Sequence, residues 1–160
     1  MPKQSRRKNR SIECEVINLS GGPTAKGCEA EYFEMPCSGK FGLKVYDSWV
    51  EAEEAWQRQK KAHSLGMAPG VGKMLIVKHK RYWNSRNAVT RFGYETEIAE
   101  PISRGWYNKI WKEQHQDLER RLLASGLAGG DFGPKNCGII DGRVVQVDFG
   151  PCSYYDKRIF

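Results

Sequence analysis

The sequence predicts an α+β protein in which five short antiparallel strands and one helix fill residues 11–100, followed by a helical segment and a β-hairpin in residues 101–160. Three observations carry this reading. Short apolar runs bounded by Gly, Pro, Ser and Asn recur before residue 47 and again between 73 and 98. A capped segment with acids at its start and bases at its end follows Asp47. Asp141-Gly142 lies between Ile139-Ile140 and Val144-Val145, a pair that tolerates the positive φ angles of a type I′ hairpin turn.

Residues 1–10 carry Lys3, Arg6, Arg7, Lys8 and Arg10 and no acid, and read as a disordered basic tail. Residues 12–19 read as a strand, closed by Ser20-Gly21-Gly22-Pro23. Residues 27–34 and 40–46 read as the second and third strands, joined through Pro36-Cys37-Ser38-Gly39, so the chain opens as an antiparallel meander. Asp47 or Ser48 caps a helix over about 48–64, with Glu51, Glu53 and Glu54 early and Arg58, Lys60 and Lys61 late, as the helix dipole favours. Residues 73–79 and 90–98 supply two further strands across a polar loop holding Asn84, Ser85, Arg86 and Asn87. After Pro101, Trp106, Ile110, Trp111, Leu118, Leu122 and Leu123 recur near helical spacing until the glycines at 126–130. Trp106 and Trp111 are expected at the junction of this helix with the hairpin.

A chain of 160 residues with 39% hydrophobic residues, five Trp and seven Tyr can bury a core. No apolar run approaches the roughly 18 residues of a membrane span, and Met1-Pro2-Lys3-Gln4-Ser5 lacks the apolar segment of a signal peptide. A cytoplasmic protein with free thiols is expected, because the five cysteines include no C-x-x-C pair. His63, His79 and His115 show no metal-ligand spacing and read as surface residues.

The net charge of +7 is unevenly spread. Residues 55–94 hold nine bases and no acid, whereas residues 11–54 hold nine acids against three bases. The tail at 1–10 and the stretch 55–94, where Trp56, Tyr82, Trp83 and Phe92 interleave with the bases, form a candidate nucleic-acid surface.

The hairpin concentrates the chemistry. With its turn at 141–142, Asn136 falls opposite Val147 or Asp148, so an amide and a carboxylate meet at its base. Mg²⁺ takes oxygen ligands of this kind, one or two from protein and the rest from water and phosphate. Asp131, just before the hairpin, is placed to orient or deprotonate an attacking hydroxyl.

Asp131-x-x-Pro134-x-Asn136, followed twelve residues later by Asp148-Phe149-Gly150, resembles the catalytic and metal-binding loops of the protein-kinase-like superfamily. The resemblance covers about residues 12–150 and implies a compact kinase-like fold with a truncated second lobe. It implies ATP and Mg²⁺ as cofactors and an ATP-Mg²⁺-dependent phosphotransferase acting on a hydroxyl, such as that of Ser or Thr. Lys44 in Gly42-Leu43-Lys44-Val45 would reach the nucleotide phosphates, paired with Glu54, or with Glu51 or Glu53. Gly21 and Gly22 would cover the phosphates, Asn136 and Asp148 would hold the metal, and Asp131 would accept the hydroxyl proton.

Three features depart from the pattern. Gly129-Gly130 precede Asp131 where many members have a histidine, the glycine loop does not read G-x-G-x-x-G, and ten residues follow Gly150. They leave open an inactive pseudokinase that docks on a cellular protein and alters its activity.

Overall fold

Strand alternation decides which side chains face inward, and strand pairing decides where helix and hairpin attach. The computed structural model describes residues 14–26, 30–35, 39–82, 84–102, 110–127 and 136–149. Its elements are β1 (Glu15–Ser20), β2 (Ala25–Lys26), β3 (Glu31–Glu34), β4 (Phe41–Tyr46), α1 (Trp49–Ser64), β5 (Val71–Lys80), β6 (Val89–Glu97), β7 (Glu100–Pro101), α2 (Lys112–Ala124), β8 (Cys137–Ile140) and β9 (Arg143–Gln146).

The protein is α+β. The five expected strands appear as β1, β3, β4, β5 and β6, and the two-residue β2 adds a sixth, in the order β1-β5-β6-β4-β3-β2. The expected opening meander and all-antiparallel sheet need correction. β3 and β4 do form a hairpin, but β1 lies at the far edge and pairs in parallel with β5, from Glu15 opposite Leu75 to Ser20 opposite Lys80. The apolar residues of β1 explain its place, since Ile17 and Leu19 pack on the cluster of Phe33, Leu43, Val45, Leu75 and Val77.

This topology curls the sheet. Residues 21–24 join strands at its two edges, a link spanning roughly 17 Å at most, whereas a flat six-stranded sheet is roughly 24 Å wide. The Phe33 cluster therefore fills a concave interior, across which the Phe33 ring from β3 meets the His79 ring from β5 at 5.1 Å. His79 is only 3% exposed, which corrects its reading as a surface histidine.

On the convex face, α1 covers Tyr46 and Tyr94 with a stripe of Ala52, Ala55, Gln59 and Ala62 at 3-4-3 spacing. Ser48 caps it as expected, accepting from the Glu51 amide at 3.2 Å. The helix closes at Gly66 (φ +76°), where the amides of Gly66 and Met67 return to the carbonyls of His63 and Ala62.

α2 presents Leu118 and Leu122 to a second core with Ala62, Met67, Val144 and Phe149. Trp111 is buried there beside the hairpin, in agreement with expectation, and Trp106 lies outside the described residues. Asp141 (φ +50°) and Gly142 (φ +72°) make the predicted turn between β8 and β9. β7, too short to read from sequence, pairs with β8 to complete a three-stranded sheet. Cys14 and Cys137 are free thiols, and no described helix is long and apolar enough to cross a membrane.

Candidate functional site

Lys44 lies in the middle of β4, opposite Tyr32 on one side and Tyr94 on the other. Strand alternation turns it, with Tyr46, toward α1. It is 8% exposed, and its ammonium donates to Gln59 Oε1 at 3.2 Å and to the Val147 carbonyl. The second bond joins residues 103 positions apart in sequence and ties β4 to the strand end that carries Asp148. Burial pushes the ammonium down to about 8, and the Asp148 carboxylate acts against that shift.

Two features place Asp148 there. The hairpin continues one pair beyond β8 and β9, because the Val147 amide donates to the Asn136 carbonyl at 2.8 Å. Asn136 therefore pairs with Val147, one of the two partners the sequence offers, and Asp148 follows one residue further along the strand. The hairpin is then anchored by Gln146, whose amide donates to the Met67 carbonyl at 2.9 Å and whose side chain donates to the Asp148 carbonyl at 3.1 Å. Phe149, 1% exposed, locks the same strand end into the second core.

The helix partner of Lys44 is not an acid. Glu54 is exposed on α1, and five residues separate it from Gln59, a rotation of about 140° around the helix. Glu53 accepts from Trp49 Nε1 at 3.1 Å, and the bonds of the Lys44 ammonium go to Gln59 and Val147 rather than to Glu51. Gln59 is fully buried and uses both ends of its amide. Its oxygen accepts from Lys44 and from the Tyr94 hydroxyl at 2.9 Å, and its nitrogen donates to the Pro69 carbonyl at 3.1 Å and to Thr96 Oγ1 at 2.7 Å. Burial raises Tyr94 well above the usual phenol range, with Tyr46 and Asp148 adding to it, so Tyr94 stays a donor to Gln59. The signal for Gln59 was present in the sequence as the one polar residue on the stripe Ala52, Ala55, Gln59, Ala62.

Tyr32 is a second residue that sequence reasoning missed. Its hydroxyl lies against Gly42, where a Cβ would stand 2.1 Å from it, and is buried with no hydrogen-bond partner among the described residues. The ring thus covers the sheet beside Lys44, and only glycine at 42 allows that approach.

Gly21, with Gly22 next to it in the chain, is held elsewhere. The Gly21 amide donates to the Lys80 carbonyl at 2.9 Å and its carbonyl accepts from His79 Nε2 at 2.8 Å, which ties the loop to the end of β5. Asp131 lies outside the described residues. Lys44 thus meets the strand end that carries Asp148, and Asn136 stands opposite Val147 through its backbone, whereas Glu54 and Gly21 stand apart from the contacts of Lys44. Among the described residues no three His, Cys, Asp or Glu side chains cluster as a metal site, so a cation here would draw further ligands from a bound molecule or water. No protein-family model and no curated protein matches the chain.

Proposed function

We propose that the protein is an ATP-Mg²⁺-dependent phosphotransferase with a kinase-like fold, acting on a hydroxyl acceptor such as Ser or Thr. The observation that carries this reading is the bond from Lys44 on β4 to the carbonyl of Val147, next to Asp148. A buried cation and a carboxylate from distant parts of the chain converge there, as phosphoryl transfer requires. Lys44 would bind the α- and β-phosphates, with Gln59 fixing the direction of its ammonium. Asp148 and Asn136 offer the oxygen donors Mg²⁺ prefers, and the metal would supply neutralisation of the phosphate charge. Asp131 would hold the acceptor hydroxyl and take its proton.

The test is transfer of labelled γ-phosphate from ATP to protein acceptors, the chain itself included. Lys44→Met and Asp148→Asn should each lower the rate at least about 100-fold while the fold persists. Undiminished transfer in both variants would refute the assignment.

Gln59 and Tyr32 favour a second reading, a pseudokinase that keeps the fold as a binding scaffold. Gln59 stands where the resemblance implies a carboxylate, and the Tyr32 ring occupies space beside Lys44. Turnover separates the two, since the scaffold transfers no phosphate even with millimolar nucleotide.

A further inference from the structure

The acid-free stretch 55–94 is continuous in sequence but divides into two regions in space. In the first, the aromatics serve the fold. Trp56 donates to the Gly72 carbonyl at 2.9 Å and carries Lys60 over its ring at 4.7 Å, and Phe92 packs edge-on against Trp49 at 5.8 Å. In the second, at the end of the β5–β6 hairpin, Tyr82 does not, and Trp83 lies outside the described residues. Tyr82 is 64% exposed and Val89 63%. Lys80 and Arg86 are exposed, Lys78 reaches across to Thr90 Oγ1 at 2.6 Å, and Arg81 stays 48% exposed while bonded to Glu31. Glu31, the acid that Arg81 holds, is buried and also faces Arg91.

An exposed ring among cations and the short polar side chains of Asn84, Ser85 and Asn87 offers stacking, phosphate contacts and hydrogen bonds together. Unpaired bases on a phosphate chain present the matching chemistry, whereas an acidic protein supplies the charge without the stack and duplex DNA hides its base faces. We infer that the tip of the β5–β6 hairpin is a docking surface for single-stranded nucleic acid, with Tyr82 as the stacking platform and Lys78, Lys80 and Arg86 on the phosphates.

The surface is separate from the Lys44 site, and the basic tail at 1–10 lies outside the described residues. Val89 lies five residues before Tyr94, the cross-strand neighbour of Lys44, a distance of roughly 17 Å along β6. The chain enters β1 at Glu15, opposite Leu75, whereas the hairpin tip adjoins the other end, where Ser20 lies opposite Lys80.

The test is fluorescence anisotropy of the full-length chain with labelled oligo-dT and oligo-U of about 20 nucleotides, titrated against salt. Three full-length variants accompany it: Tyr82→Ala, the double variant Lys80→Glu with Arg86→Glu, and a tail variant with Lys3, Arg6, Arg7, Lys8 and Arg10 changed to Ser. Binding should weaken with salt, and Tyr82→Ala should weaken it about 5-fold or more without changing the salt slope. The double variant should lower the slope by about 2, and the Tyr82 effect should persist in the tail variant. The inference is overturned if Tyr82→Ala binds like the wild type, if the tail variant alone abolishes binding, or if no binding occurs at about 20 mM salt.

Discussion

Two charge clusters, each built on a buried cation, occupy opposite faces of the same sheet and are compensated in different ways. On the concave side, Arg91 donates through Nε to Asp47 at 2.9 Å and lies 3.5 Å from Glu31, which Arg81 also holds at 2.5 Å. His79 completes that cluster, bonded through Nε2 to the Gly21 carbonyl and facing Arg91 through Nδ1. On the convex side, Lys44 is surrounded by neutral acceptors, Gln59 and the Val147 carbonyl, and Asp148 is the carboxylate that bears on it. The first arrangement pairs its buried cation with carboxylates of the protein itself, as a structural ion-pair network does. The second keeps a cation positioned with no acid from the helix beside it, so an anionic ligand gains where the fold itself gains little.

The sharpest way to break this comparison is to remove one cation from each cluster. Arg91→Met should destabilise the protein by about 2–3 kcal/mol, because it removes the buried cation between Glu31 and Asp47 and leaves Glu31 only the half-exposed Arg81. Lys44→Met should leave the urea midpoint unchanged or raise it, because a desolvated charge is removed. Equal losses in the two variants would erase the distinction.

The pH dependence of stability sharpens the contrast. Lys44 is lowered from 10.5 to about 8 by burial, so between those values the unfolded chain holds a proton that the folded chain has released. Stability due to Lys44 should therefore rise with pH across that window and be level below it, where the folded chain bears the full desolvation cost. The wild type minus Lys44→Met difference should grow by about 3 kcal/mol, read from urea unfolding at each pH. A flat difference would mean that the amine is not held in a desolvated site.

Gln59→Leu should cost about 2 kcal/mol, since Lys44, Tyr94, Thr96 and the Pro69 carbonyl each lose a bond in a dry setting. A loss no larger than that of an exposed substitution such as Glu54→Ala would show that Gln59 does not organise the site. The smallest effect is expected at the turn. Gly142→Ala should cost about 1 kcal/mol, because a side chain at φ +72° is strained even where a Cβ meets nothing within 4 Å.

What was legible in the sequence follows from how local the signals are. The Asp141-Gly142 turn fixes its own register, so Asn136 falls opposite Val147 from residue counting alone. The Ser48 cap and the acidic-to-basic gradient of α1 are equally local. The position of β1 is not, because alternation in Val16, Ile17 and Leu19 identifies a strand without naming its neighbour. The partner of Lys44 escaped because resemblance directs attention to a helix acid, whereas the buried stripe of α1 carries Gln59. Trp56 and Phe92 escaped for a related reason: aromatics among bases suit a ligand stack and a core wall equally well until their neighbours are known.

The most direct test of the central claim is calorimetric titration of ATP, with and without Mg²⁺, into the wild type, Asp148→Asn and Lys44→Met. A nucleotide site at Lys44 and Asp148 predicts Mg²⁺-dependent binding by the wild type, loss of the Mg²⁺ dependence in Asp148→Asn, and loss of affinity in a Lys44→Met protein that remains folded. Absence of binding at millimolar nucleotide, or identical binding by all three proteins, would contradict it.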